Sequence, residues 1–188
     1  MLLILAIPAL ADGPPEPGCT GFISITGNTN INTFELEYVF DQNLRLSTTE
    51  VPGSESRLVS LILPVRSFSG SSSRLEEDFY DLVRARLHPD IVIGFEDLRS
   101  AHLHPGAVMK KVRISLAGVT REYEVPCSLE DQKNDILTVS GSRVIPISDF
   151  GIDPPERFLG LVQVEDHIFV KFSVNFTSDS ISENADTP

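Results

Sequence analysis

The sequence predicts an all-β, antiparallel domain that carries one amphipathic helix, and three observations predict it. Apolar and polar residues alternate along most of the chain from Gly21 onward, the period of strands that bury one face. A single segment, Ser73 to Val83, changes to the helical period. The chain has 188 residues, 41% of them hydrophobic and 22% charged, which suits one domain with an ordinary core. Periodicity alone leaves two architectures open, a closed barrel with the helix over one end and a two-sheet sandwich.

The first stretch, Leu2 to Leu10, is almost wholly apolar and ends in Ala9-Leu10-Ala11, the small-x-small spacing of a signal-peptidase site. It reads as a signal peptide that lacks the usual basic n-region, and it is far short of the roughly 20 apolar residues that span a bilayer. Residues 12–20 form a proline-rich linker. The domain is expected over 21–176, followed by a polar, acidic tail over 177–188 that should be disordered. Cys19 does not fit a lipidated cysteine, because Glu16 and Pro17 stand where the apolar segment should end. Outside the cytoplasm it would be free to pair with Cys127, but sequence does not say whether the two approach each other.

Each alternating run then defines a strand. Phe34, Leu36, Tyr38 and Phe40 face one way, against Thr33, Glu35, Glu37 and Val39. Val59, Leu61, Leu63 and Val65 repeat the pattern, as do Ile91, Ile93 and Phe95, then Val112, Ile114 and Leu116, then Tyr123 and Val125. The last run is the clearest, with Ile168, Val170, Phe172, Val174 and Phe176 on one face. Shorter candidates at Leu44 to Ser47 and Ile136 to Ile147 bring the total to about eight strands. In the helical segment, Ser73-Arg-Leu-Glu76 has capping-box spacing, Leu75, Phe79, Leu82 and Val83 share a face, and Pro89 should end the helix.

Charge and composition exclude several functions. There are 27 acidic and 15 basic residues, a net charge of -12, which disfavours nucleic acid. Two cysteines cannot build a four-thiolate zinc site. His102 and His104, with Glu96 and Asp97 close in sequence, have the residue types of a metal site, but Arg99 to Gly106 reads as a loop ending in a Pro-Gly turn. His88 and His167 fit a helix end and a turn. Ser140-Gly141-Ser142 lacks the strand-turn-helix setting of a nucleophile elbow, and no glycine loop for phosphate is present. No catalytic residue, metal or cofactor is expected.

Several dispersed segments carry a family pattern. Gly27 to Phe34 opens a strand, Asp78-Phe-Tyr-Asp-Leu82 and His88-Pro-Asp-Ile91 join helix to strand, Leu116-Ala-Gly-Val-Thr-Arg121 links two strands, and Ile147-Ser-Asp-Phe-Gly-Ile-Asp-Pro-Pro155 leads to Phe158-Leu-Gly-Leu161. In that order they resemble the YceI-like family of exported bacterial proteins, over roughly Gly21 to Phe176. The resemblance implies a lipocalin-like antiparallel barrel whose apolar interior holds an isoprenoid or other long-chain amphiphilic lipid, located in the periplasm, with no catalytic residues. Some relatives carry cysteines where this chain has Leu36 and Ser69, so any such bridge is absent here.

A barrel of about eight strands is just wide enough either to fill with side chains or to hold one slender ligand. The lining expected from the inward-reading faces is Phe34, Leu36, Tyr38, Phe79, Ile93, Phe95, Ile114, Leu116, Phe150, Phe172 and Val174. Non-catalytic carriage or sequestration of a lipid is the first reading. The alternative is a secreted stress-response or interaction module with a filled barrel. A hydrolase or metalloenzyme centred on His102 and His104 is the third.

Overall fold

The structure is a computed structural model that describes residues 19–41, 44–53, 56–96, 98, 107–132, 136–157 and 162–177. The expected signal peptide, the linker up to Gly18 and the tail beyond Thr177 lie outside the described residues, as do Asp97, His102 and His104. In chain order the elements are β1 (Cys19–Thr29), β2 (Thr33–Phe40), β3 (Arg45–Glu50), β4 (Arg57–Pro64), a 3-10 turn (Val65–Ser67), β5 (Ser69–Gly70), α1 (Ser73–Leu82), β6 (Asp90–Glu96), β7 (Ala107–Leu116), β8 (Val119–Gln132), β9 (Ile136–Pro146), a second 3-10 turn (Ile147–Phe150), β10 (Glu156–Arg157) and β11 (Val162–Thr177).

Every ladder is antiparallel, and one sheet runs in the order β3-β4-β6-β7-β8-β9-β11-β1-β2-β5, with the short β10 on β11. The connections force this sheet to curl. From β3 to β2 there are eight inter-strand steps in that order, roughly 38 Å if flat at about 4.8 Å each. Phe40 ends β2 and Arg45 begins β3, and five residues reach at most about 18 Å. The crossing from Pro64 at the end of β4 to β5 on β2 imposes the same closure. The result is a lipocalin-like curl around one interior, and the two-sheet alternative is set aside.

The strand count exceeds the sequence reading. β1 is absent from that reading because Gly21 and Gly27 hold two of its inward positions and Phe22 lies on the opposite face, which blurs its alternation, and β5 and β10 are two residues each. The predicted faces are otherwise in place: Val59, Leu61, Leu63 and Val65 are buried, as are Ile91, Ile93, Phe95, Val112, Ile114 and Leu116. The β7–β8 connection is a two-residue turn with Ala117 at φ 50 and Gly118 at φ 82, the type I′ geometry that matches strand twist. Gly118 also lies under the His88 ring, which an added Cβ would meet at 2.6 Å. His88 thus has a packing role at this hairpin.

The helix departs from expectation at both ends. Its N-cap is Ser72, whose Oγ accepts the Leu75 N–H at 3.3 Å. Ser73 is therefore already helical, and Glu76 accepts from the Gly70 N–H at 3.0 Å, tying the helix to β5. At the C-terminus the stop comes well before Pro89. Arg84 takes a left-handed φ of 56, its N–H donates to Asp81, and the Ala85 N–H donates to Tyr80 at 2.8 Å, the pairing of a Schellman motif. A side chain in that conformation costs roughly 1–2 kcal/mol relative to glycine. Arg84→Gly should therefore raise stability by about 1 kcal/mol in a urea melt. A lower midpoint would show that the Arg84 side chain does more for the fold than its backbone strain costs.

Candidate functional site

The barrel interior divides into two unlike halves. At one end the space is filled. Phe95 lies 5.4 Å from Phe172 and 6.0 Å from Phe176, ring centre to ring centre, and these three with Cys19, Cys127, Val139 and Val174 belong to the buried core. The Phe172 ring covers Gly141, where a Cβ would lie 2.9 Å from the ring and 3.2 Å from Cys127 Sγ. Only a glycine lets the aromatic cross the strand so closely.

At the helix end the interior is hollow. A cavity of about 80 Å³ is lined by apolar residues alone, among them Ile23, Ile25, Ile91, Ile145, Ile147, Ile152, Ile168 and Val170. It shares Phe34, Leu36, Phe79, Leu82 and Val164 with a second space of about 340 Å³ beneath α1, which also meets Thr29, Leu75, Asp78, Asp81 and Pro155. The second space is of small-molecule size. α1 forms its roof, and an aromatic series from Phe40 through Tyr38 and Phe68 to Phe79, with centres 5.5 to 5.7 Å apart, joins that roof to the wall.

Seven of the residues chosen from sequence meet at this cavity: Phe34, Leu36, Phe79, Ile93, Ile114, Leu116 and Phe150. The other four do not line it. Phe95, Phe172 and Val174 belong to the filled end, and Tyr38 packs between Phe40 and Phe68. Their faces are right, but their height along the barrel differs, because a period of two marks the side of a strand and not the depth. Sequence reasoning passed over Ile23 and Ile25 with the rest of β1, and named Asp78 only within the Asp78-Phe-Tyr-Asp-Leu82 segment of the family pattern, not as a residue of the site.

One wall of the cavity is not a strand. The β8–β9 ladder runs only from Cys127↔Gly141 to Gln132↔Ile136, since Pro126 offers no N–H to extend it. Beyond it the strands part, and the turn Ile147–Phe150 fills the gap, with Ile147 and Phe150 facing the cavity. The Arg143 guanidinium donates to the Glu124 carbonyl and lies 5.3 Å from the Tyr123 ring centre. Two latches hold the turn. Tyr123 donates to Asp149 at 2.8 Å, and Asp166 accepts from the Ser148 N–H at 2.9 Å and its hydroxyl at 2.7 Å. The Ser148 hydroxyl, then its N–H, holds the Asp166 carboxyl below its ordinary value. A depressed carboxylate adds stability above its unfolded pKa, and that stability is lost as pH falls through the folded one. Asp166→Asn should therefore be less stable than the parent at neutral pH, and the difference should shrink as pH falls below the unfolded aspartate value near 3.9 and through the lower folded one. Denaturant midpoints of both proteins against pH check this, and a constant difference would contradict it.

Other chemistry is sparse. Cys19 and Cys127 are both free and buried, and burial pushes their thiols up to about 12 and about 11, so little nucleophilic thiolate forms. Among the described residues no three His, Cys, Asp or Glu side chains cluster to hold a metal, and no helix is long and apolar enough to cross a membrane. The Asn175 side chain accepts from Thr138 at 2.8 Å and donates to Thr20 at 3.2 Å, inside the ladder.

The fold is similar to that of several solved structures. A polyisoprenoid-binding domain from Saccharophagus degradans, implicated in plant cell wall breakdown, superposes with a TM-score of 0.63 at 12% identity, covering 86% of this chain and 99% of its own. BcnA of Burkholderia cenocepacia gives 0.61 at 16% identity, over 84% and 96%. A YceI protein of Campylobacter jejuni gives 0.50 at 14% identity, over 71% and 80%. The chain has the YceI-like fold. No family model matches its sequence and no curated protein does, so the YceI-like likeness is one of structure. In this YceI-like barrel, Leu36 and Ser69 fall on the paired strands β2 and β5, one register step apart.

Proposed function

We propose that the protein binds the chain of a long isoprenoid or similar amphiphilic lipid without chemical conversion, and carries or sequesters it. The observation that carries this reading is the cavity lined by apolar residues alone, which shares five lining residues with a larger space under α1. Burying a chain gains about 0.8 kcal/mol per methylene, so a lining of Phe, Leu, Ile and Val suffices for tight binding without a sharp motif. The inner void is small, so most of the chain would lie beneath the helix with its tip between Ile93, Ile114 and Leu116. The polyisoprenoid-binding neighbour supports the choice of ligand class. The apolar run ending at Ala11 supports a place outside the cytoplasm, in the periplasm or secreted.

The test is mass spectrometry of an organic extract from protein purified without detergent. A reproducible long-chain species supports the carrier. A clean extract, together with no uptake of a long-chain isoprenoid alcohol by the same sample, contradicts it and favours the filled-barrel module.

A further inference from the structure

The hollow has a floor, and the floor bears on how much of a lipid chain can be enclosed. Along β11 the inward positions are Ile168, Val170, Phe172, Val174 and Phe176, and the first two alone meet the void. Along β6 they are Ile91, Ile93 and Phe95, and the lining again stops short of the aromatic. β6 and β11 lie four steps apart in the sheet order. The contact between Phe95 and Phe172, 5.4 Å from ring centre to ring centre, therefore crosses the interior from one wall to the other. Phe176 backs Phe95 at 6.0 Å, and Phe172 lies directly against Gly141 of β9, so dense packing holds both rings across the bore.

We propose that the Phe95–Phe172 pair is a chain stop that sets length selectivity, so that the hollow encloses about three isoprene units and a longer chain gains no further burial. The inference rests on the carrier reading above. The inner void of about 80 Å³ and the outer space of about 340 Å³ together hold roughly 14 carbon atoms if each takes the ~30 Å³ of a water molecule in the liquid. That is close to the carbon count of three units. Affinity rises with each unit that enters the apolar lining, because the gain follows the area removed from water. A unit that cannot pass the rings stays in water and adds little. Phe172 is the specificity-determining position, since truncating it joins the void to the space its ring occupied, about the size of one further unit.

The experiment titrates the full, delipidated chain with geraniol, farnesol and geranylgeraniol, alcohols of two, three and four isoprene units that share one head group. Farnesol should bind roughly a hundredfold more tightly than geraniol, and geranylgeraniol within about threefold of farnesol. In Phe172→Ala the affinity for geranylgeraniol relative to farnesol should rise about tenfold or more. Phe172→Leu, which keeps a large apolar side chain, should move the ratio the same way by less and covers the case in which full truncation costs the fold. The parent's own length series decides the limit whether or not either variant folds. A step from farnesol to geranylgeraniol as large as that from geraniol to farnesol overturns the stop while the carrier reading stands. A ratio unmoved in a folded Phe172 variant overturns the assignment to these rings. Binding of none of the three overturns the carrier reading itself.

Discussion

Phe95→Ala should destabilise the protein by about 3–5 kcal/mol, a fall in Tm of roughly 6–20 °C, and leave lipid uptake intact wherever the variant is folded. Phe95 is 1% exposed and closes an aromatic group with Phe172 and Phe176 at 5.4 and 6.0 Å. Its removal leaves a void that surrounding strands cannot close, because β6 is held on both sides by β4 and β7. The transfer loss and the cavity term therefore add. Because this group lies at the filled end, away from the void, the lipid site should survive. Thermal melts and uptake at low temperature on one preparation decide it. Loss of uptake in a folded variant would show that the ligand reaches the end assigned to packing.

Phe79→Asp should cost a comparable amount for a different reason. Phe79 is buried, faces both parts of the hollow and meets the Phe68 ring in a tilted contact at 5.7 Å. A carboxylate there is surrounded by Leu36, Phe68 and Leu82, with no cation among the described residues that line the hollow, and an uncompensated buried charge costs about 3–5 kcal/mol. Its folded pKa must rise above the unfolded value near 3.9. The penalty is then complete above the raised pKa and declines as pH falls toward the unfolded one. Phe79→Ala loses the ring without the charge, so its deficit should not recover in acid. Denaturant melts of both variants across pH separate the two causes, and parallel pH profiles would mean the aspartate escapes to water and the roof is open.

The legible part of the fold is the part in which every second residue is apolar. β2, β4, β6, β7 and β11 declare their buried faces because Leu, Ile, Val and Phe recur without interruption. β1 does not, because Gly21 and Gly27 stand at two of its inward positions and Phe22 faces the other way, which leaves only Ile23 and Ile25 to mark the buried side. The helix was legible as a helix, but its ends were set by backbone geometry at Ser72 and Arg84. The site was legible as a face and not as a volume. Val170 and Val174 share one face of β11, yet only Val170 meets the cavity, because a period of two gives the side of a strand and not the level along it. Asp78 and Asp81 are acidic positions of α1, and only the placement of the helix over the hollow brings them to the lining of the outer space.

The central claim is that one half of the interior is a binding space and the other a packed core, and the most direct measurement compares Leu116→Phe with Val174→Phe. Leu116 lines the cavity, and Val174 is fully buried in the filled end. Stability and uptake of a long-chain isoprenoid alcohol are read on the same delipidated samples, because bound lipid raises apparent stability by mass action. Leu116→Phe should stay about as stable as the parent while uptake falls sharply. Val174→Phe should lose about 1–3 kcal/mol through overpacking and, where folded, still take up lipid. Equal destabilisation by both, with no uptake by the parent, would contradict the account and leave a filled barrel.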